Sequence, residues 1–123
     1  MKEEKGIHII VDLYGCNEKK IDNVKFMNSL VNKALSKSNL VSYGTLYHKF
    51  NPKGFTSITL LAASHLSIHT WPELKYVSLD IFACDEREKA IKASNIIIDE
   101  LNPNKIKKRI LYRGFVYKQS TKQ

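Results

Sequence analysis

Hydrophobic and polar positions change period several times along the chain. Residues 7–14, Ile-His-Ile-Ile-Val-Asp-Leu-Tyr, are rich in β-branched side chains and end at Gly15, which is the pattern of a strand. From 22 to 38 the period becomes helical. Val24, Met27, Leu30, Val31, Ala34 and Leu35 fall on one stripe, and Asp22 or Asn23 can cap its start. Residues 41–50 return to alternation, with Val41, Tyr43, Thr45 and Tyr47 on one face and Leu46, His48 and Phe50 on the other. The turn Asn51-Pro52-Lys53-Gly54 follows, then a strand expected over 56–63. A polar, histidine-rich stretch, Ser64 to Glu73, is given no element. Residues 76–83 read as a fourth strand. A second helix is expected over 86–101, with Ala90, Ile91, Ser94, Ile97, Ile98 and Leu101 on its stripe. Asn102-Pro103-Asn104 stops it, because Pro103 disfavours helical geometry at the residue before it. Residues 106–112 form the last expected strand.

The order β-α-β-β-β-α-β suits an α+β fold. It predicts a two-layer sandwich: a mostly antiparallel sheet with two helices on one face. The sheet's other face then needs cover. Both faces of 41–50 are partly apolar, so two such sheets are expected to stack in a dimer of four layers.

Composition narrows the class. The chain has 123 residues, 43% of them hydrophobic, enough for one domain with a packed core. No apolar run approaches the roughly 20 residues of a membrane-spanning helix. The charged start, Met1-Lys2-Glu3-Glu4-Lys5, lacks the apolar stretch of a signal peptide. Cys16 and Cys84 are too few for a disulfide scaffold. The expectation is a cytoplasmic chain with free thiols and no membrane partner.

The net charge of +8 suggests a polyanion partner, but its placement matters. Residues 1–104 hold all twelve acidic side chains and thirteen basic ones, so they are nearly neutral. The seven remaining cations are Lys105, Lys107, Lys108, Arg109, Arg113, Lys118 and Lys122. They are read as a solvated strand and a frayed end. A nucleic-acid-binding domain with a basic tail is kept as the alternative from another class, although no RNA-binding motif accompanies it.

The densest polar chemistry is Ala63-Ser64-His65-Leu66-Ser67-Ile68-His69-Thr70-Trp71-Pro72-Glu73. His65 and His69 stand four apart, but Leu66 occupies the place where a zinc HExxH helix needs Glu, so no metal is expected. No Gly-x-Ser-x-Gly elbow marks Ser64 or Ser67 as a hydrolase nucleophile.

The run ASHLSIHTWPE, then Tyr76 and LDIFACD at 79–85, resembles the self-cleaving S-adenosylmethionine decarboxylase proenzymes of the short prokaryotic kind. IIVDLYGC at 9–16 and YHKFNPKGFT at 47–56 extend the resemblance, which covers roughly residues 6–114. It implies that Ser64 attacks the carbonyl of Ala63 and that elimination splits the chain. A β chain of 1–63 and an α chain of 64–123 result, the latter starting with a pyruvoyl group made from Ser64. A single self-processing domain, 1–114, would then carry a basic tail, 115–123. The resemblance makes His69 the processing base and Thr56 the hydroxyl that hydrogen-bonds the intermediate, where relatives usually carry Ser. The pyruvoyl cofactor would form a Schiff base with S-adenosylmethionine and release carbon dioxide. Cys84 would return a proton to carbon. Phe50 would stack on adenine, and Glu73 would bind the ribose hydroxyls. The product would be the aminopropyl donor for spermidine synthesis. A homodimer of αβ protomers is the expected assembly.

Taken singly, Phe50 reads as core, Glu73 as a turn residue and Cys84 as a small buried hydrophobe. The resemblance reverses that reading, because they occur together with Ser64 and His69 in the order and spacing of the family. Relatives usually carry Glu where this chain has Ala63. The attacked group is a backbone carbonyl, so the bond change does not require that side chain. Substrate preference does come into question, and a pyruvoyl-dependent arginine or ornithine decarboxylase on the same fold is the runner-up.

Overall fold

Alternation decides what each strand buries, and one side of the sheet takes most of the buried aliphatic carbon. The structure is a computed structural model that describes residues 2–62 and 64–117. Ala63, half of the expected cleavage site, and residues 118–123 of the expected tail lie outside the described residues. The elements are β1 (Lys2–Glu3), β2 (Gly6–Tyr14), α1 (Glu18–Ile21), α2 (Val24–Lys37), β3 (Ser42–Lys49), β4 (Phe55–Leu61), β5 (Ser64–Trp71), β6 (Tyr76–Ala83), α3 (Arg87–Leu101), β7 (Lys105–Arg113) and β8 (Val116–Tyr117).

Six strands form one antiparallel sheet in the spatial order β3-β4-β5-β6-β2-β7, and β1 pairs with β8 separately. Ile7, Ile9, Val11 and Leu13 of β2, Leu66 and Ile68 of β5, and Val77, Leu79 and Ile81 of β6 are buried on one face. The stripes of α2 (Met27, Leu30, Val31, Ala34, Leu35) and α3 (Ala90, Ala93, Ile97, Leu101) share that core. Burying each large aliphatic side chain contributes roughly 1.5–3 kcal/mol against exposure. The Asn23 side chain accepts the Phe26 N–H at 3.0 Å and caps α2. Asn102 adopts a left-handed conformation (φ 45°) and ends α3, just ahead of Pro103.

The α+β class and the antiparallel sheet are as expected, but the sheet has one strand more. The stretch given no element, 64–73, contains β5, which lies between β4 and β6. Its inward positions are Ser64, Leu66, Ile68 and Thr70, and its outward positions carry His65, Ser67, His69 and Trp71. Half the strand is built of chemical side chains, so in sequence its alternation registers as polarity. Short α1 was also not expected; Asn17 caps it by accepting the Lys20 N–H at 3.0 Å.

The face of the sheet turned away from the helices carries apolar side chains in the open. Leu46 is 77% exposed, Leu60 58% and Ile58 47%. β7 is an edge strand with exposed Lys105, Lys107, Lys108 and Arg109. Edge lysines discourage pairing with other sheets. Residues 116–117 of the expected tail belong to β8.

Candidate active site

Strand β5 carries the predicted site at both of its ends. At the C-terminal end, the hairpin register pairs Thr56 of β4 with His69 of β5. Thr56 Oγ1 and His69 Nδ1 are 2.9 Å apart and share a hydrogen bond. If Nδ1–H donates, Nε2 keeps a free lone pair and can take a proton; the reverse tautomer occupies Nε2 with hydrogen.

A cavity of about 330 Å³ opens beside this pair, within the range of small-molecule sites. Phe50, Lys53, Trp71 and Glu73 line it together with Thr56 and His69. Phe50 stands at the end of β3 and is 46% exposed. The edge of the His48 ring meets it at 5.0 Å between centroids. Glu73 is presented by the 3-10 turn Pro72–Leu74, which Lys75 closes in a left-handed conformation (φ 54°). The 51–54 turn comes very close to β5. A Cβ on Gly54 would lie 2.7 Å from the Thr70 carbonyl oxygen, and Gly54 also has φ 93°, so only glycine fits there. Next to it, the Phe55 N–H donates to Thr70 Oγ1 at 3.1 Å.

Trp71, within the motif but assigned no role by it, forms a wall of the cavity. It stacks on Tyr76 at 5.0 Å, and Tyr76 stacks on Tyr14 at 5.1 Å. The Tyr76 hydroxyl donates to Asp12 Oδ1 at 2.6 Å. Burial first, then this bond to a carboxylate, pushes the Tyr76 hydroxyl well above its ordinary pKa, so it remains a donor. The ladder fixes the indole plane. No sequence signal marks it, because its members come from β2, β5 and β6 and meet only through register.

The other predicted residues sit at the opposite end. Ser64 opens β5 and pairs with Leu61 and Ala83. Cys84 follows Ala83 and is partly exposed. Ser64 Oγ lies 3.5 Å from His65 Nδ1. Five residues of extended chain separate Ser64 from His69, which is roughly 17 Å. One chain therefore brings together Phe50, Thr56, His69 and Glu73, and separately Ser64 and Cys84. It does not bring the two groups to each other.

His65 and His69 both face outward on β5, roughly 13 Å apart by strand rise, so they do not face one ion together. Among the described residues no group of three or more His, Cys, Asp or Glu side chains is placed to hold a metal ion. Cys16 is buried and its thiol is pushed up to about 11 by desolvation, the condition of an inert core thiol.

Comparison with known proteins decides the lineage. Residues 7–114 match the family model for S-adenosylmethionine decarboxylase. The chain belongs to that family. It is 42% identical over 116 residues to the S-adenosylmethionine decarboxylase proenzyme of a Sulfurihydrogenibium species, covering 94% of this chain and 87% of the relative. It is 41% identical over 109 residues to that of Archaeoglobus fulgidus, covering 89% and 97%. The crystal structure of the adenosylmethionine decarboxylase from Aquifex aeolicus superposes with a TM-score of 0.92 at 40% identity, covering 98% of this chain and 99% of that one. The family is enzymatic and its members are named as proenzymes. None of these relatives is named as an arginine or ornithine decarboxylase. Among the described residues no helix is long and apolar enough to cross a membrane.

Proposed function

We propose that this chain is a self-processing S-adenosylmethionine decarboxylase whose active site is shared between two copies. The observation that carries the proposal is the division of the site. Ser64 and Cys84 sit at one end of β5, and Thr56, His69, Phe50 and Glu73 at the other. Both ends belong to a sheet whose outer face exposes Leu46, Ile58 and Leu60. Stacking a second copy on that face, with its β5 running the opposite way, covers the apolar carbon. It also places the Ser64 end of one copy over the His69 end of the other. Two equivalent sites result, as a two-fold axis requires.

The processing chemistry then has its groups in place. Ser64 Oγ attacks the Ala63 carbonyl carbon, and the C–N bond breaks as a C–O ester bond forms. The Thr56 hydroxyl of the facing copy supplies a hydrogen bond to the oxygen that gains charge. His69, hydrogen-bonded to Thr56, takes the α-proton of residue 64, and the new carboxylate of Ala63 leaves. Water then replaces nitrogen, ammonia departs, and a ketone terminates the chain that begins at 64. The side chain that gives rise to this pyruvoyl group is therefore Ser64, at the start of a strand and partly exposed. When formed, the ketone supplies a sink for the electron pair left when the substrate loses carbon dioxide.

The remaining residues bind substrate and move one proton. Phe50 and the fixed indole of Trp71 offer two aromatic faces to a flat purine and to a sulfonium. Glu73 offers two acceptor oxygens to a diol. Cys84 returns a proton to carbon; its position next to Ala83, the register partner of Ser64, supports this role. The test is the mass of the purified protein followed by carbon dioxide release from S-adenosylmethionine, arginine and ornithine in parallel. Two chains with a ketone at position 64 and release from S-adenosylmethionine alone are expected. An intact 14.1 kDa chain contradicts self-processing, and release from arginine or ornithine contradicts the substrate.

A further inference from the structure

The proposed nucleoside wall contains Phe50, yet the side chain of Phe50 is half in solvent and its fixed position needs a cause. Its backbone supplies one. The Phe50 N–H donates to the Gly54 carbonyl at 2.8 Å, and its carbonyl accepts from Lys49 Nζ at 3.3 Å. Both of these partners converge on one atom outside the cavity. Lys49 Nζ donates to Asp22 Oδ1 at 2.9 Å, and the Gly54 N–H donates to the same oxygen at 2.8 Å. A second tether runs in parallel, from Lys53 Nζ to Glu18 Oε2 at 2.6 Å. Glu18 opens α1 and Asp22 caps its end, so one short segment holds both. That segment also packs on the Pro72–Leu74 turn that presents Glu73, and the Cys16 N–H donates to the Lys75 carbonyl at 3.0 Å.

We infer that Asp22, helped by Glu18, is a positioning residue for substrate binding: it latches the 50–54 turn and so sets where Phe50 and Lys53 stand in the cavity. The inference rests on the reading that Phe50 contacts the nucleoside. The ordinary alternative is that the carboxylate only stabilises a turn. The two differ in what they do to kinetics. A loosened latch displaces a group that touches the substrate away from the reacting bond, which raises KM and leaves kcat in place. The tether on Lys53 has a further consequence. Lys53 and Glu73 line the same cavity, and a cationic substrate is repelled by a free ammonium. Pairing with Glu18 at 2.6 Å offsets that charge.

The experiment is steady-state kinetics on the self-processed enzyme with Asp22→Ala, Asp22→Asn, Phe50→Ala and the double variant Asp22→Ala/Phe50→Ala. Asp22→Ala is expected to raise KM for S-adenosylmethionine about three- to tenfold, the equivalent of a lost aromatic stack, with kcat and chain cleavage unchanged. Asp22→Asn keeps an acceptor for the Gly54 N–H but not the charge for Lys49, so it falls between, and it stands in if the alanine variant does not fold. The double variant is expected to be no worse than Phe50→Ala alone, because Asp22 acts through Phe50. A raised KM in Phe50→Ala with an unchanged KM in both Asp22 variants overturns the latch and spares the substrate reading. Additive losses overturn it as well. An unchanged KM in Phe50→Ala overturns the substrate reading of Phe50, and the latch falls with it.

Discussion

Replacing Thr56 by valine removes one hydroxyl and keeps the side-chain shape. In the structure that hydroxyl makes a 2.9 Å hydrogen bond to His69 Nδ1 in a half-buried setting. Valine leaves the imidazole nitrogen without its partner, a loss of roughly 1–3 kcal/mol for a buried polar group. It also removes the donor proposed for the charged oxygen of the processing intermediate. At 1.36 kcal/mol per factor of ten, self-cleavage slows about fivefold to 150-fold. The assay is a time course on a denaturing gel, following the 123-residue chain into pieces of 63 and 60 residues. Thr56→Ser keeps the hydroxyl and is expected to cleave near the parent rate. A valine variant that cleaves as fast as the parent refutes the role given to this hydrogen bond.

Cys84→Ala is expected to cleave normally and to lose turnover by about a hundredfold or more, the usual worth of a positioned proton donor; equal loss of cleavage, read by mass, contradicts the division of labour. Ile58→Lys places a charge on the open sheet face, and sedimentation is expected to give a monomer that stays uncleaved. Leu79→Ala empties part of a fully buried site and is expected to cost roughly 2–5 kcal/mol in urea unfolding. The Gly54 N–H, then Lys49, holds the Asp22 carboxyl below the usual carboxylate range. A lowered folded pKa stabilises above the ordinary value of about 3.9 and fades as pH falls through the lower one. The gap in urea midpoint between the parent and Asp22→Asn is therefore expected to stay constant from about pH 7 to 5 and to close below about pH 4; a gap unchanged at low pH contradicts the latch geometry.

Much of this was legible before the fold, for identifiable reasons. The stripes at 24–35 and 90–101 and the alternation at 7–14 and 76–83 depend on one local period each, so they could be read directly. The strand at 64–71 could not, because function occupies its outward positions and only Leu66 and Ile68 supply aliphatic carbon inward. The site residues were found through motif order, and order is silent about distance. Ser64 and His69 are five residues apart in sequence, and on a strand that spacing puts them at opposite ends. Thr56 and His69 are thirteen apart and touch, because a hairpin register pairs them. Trp71, Tyr76 and Asp12 make one assembly across three strands, and Asp22 reaches the cavity wall across a helix cap. Neither arrangement leaves a trace in spacing.

Mixing two inactive variants tests the shared site most directly. Ser64→Ala lacks the nucleophile and His69→Ala the processing base, so neither is expected to cleave alone. In a mixed dimer, the intact Ser64 of one copy meets the intact His69 of the other. Co-expressed with distinguishable tags, the His69→Ala chain is expected to be cleaved and the Ser64→Ala chain to stay whole, as read by mass. If the His69→Ala chain remains intact in dimers shown to be mixed, the site is not shared between copies.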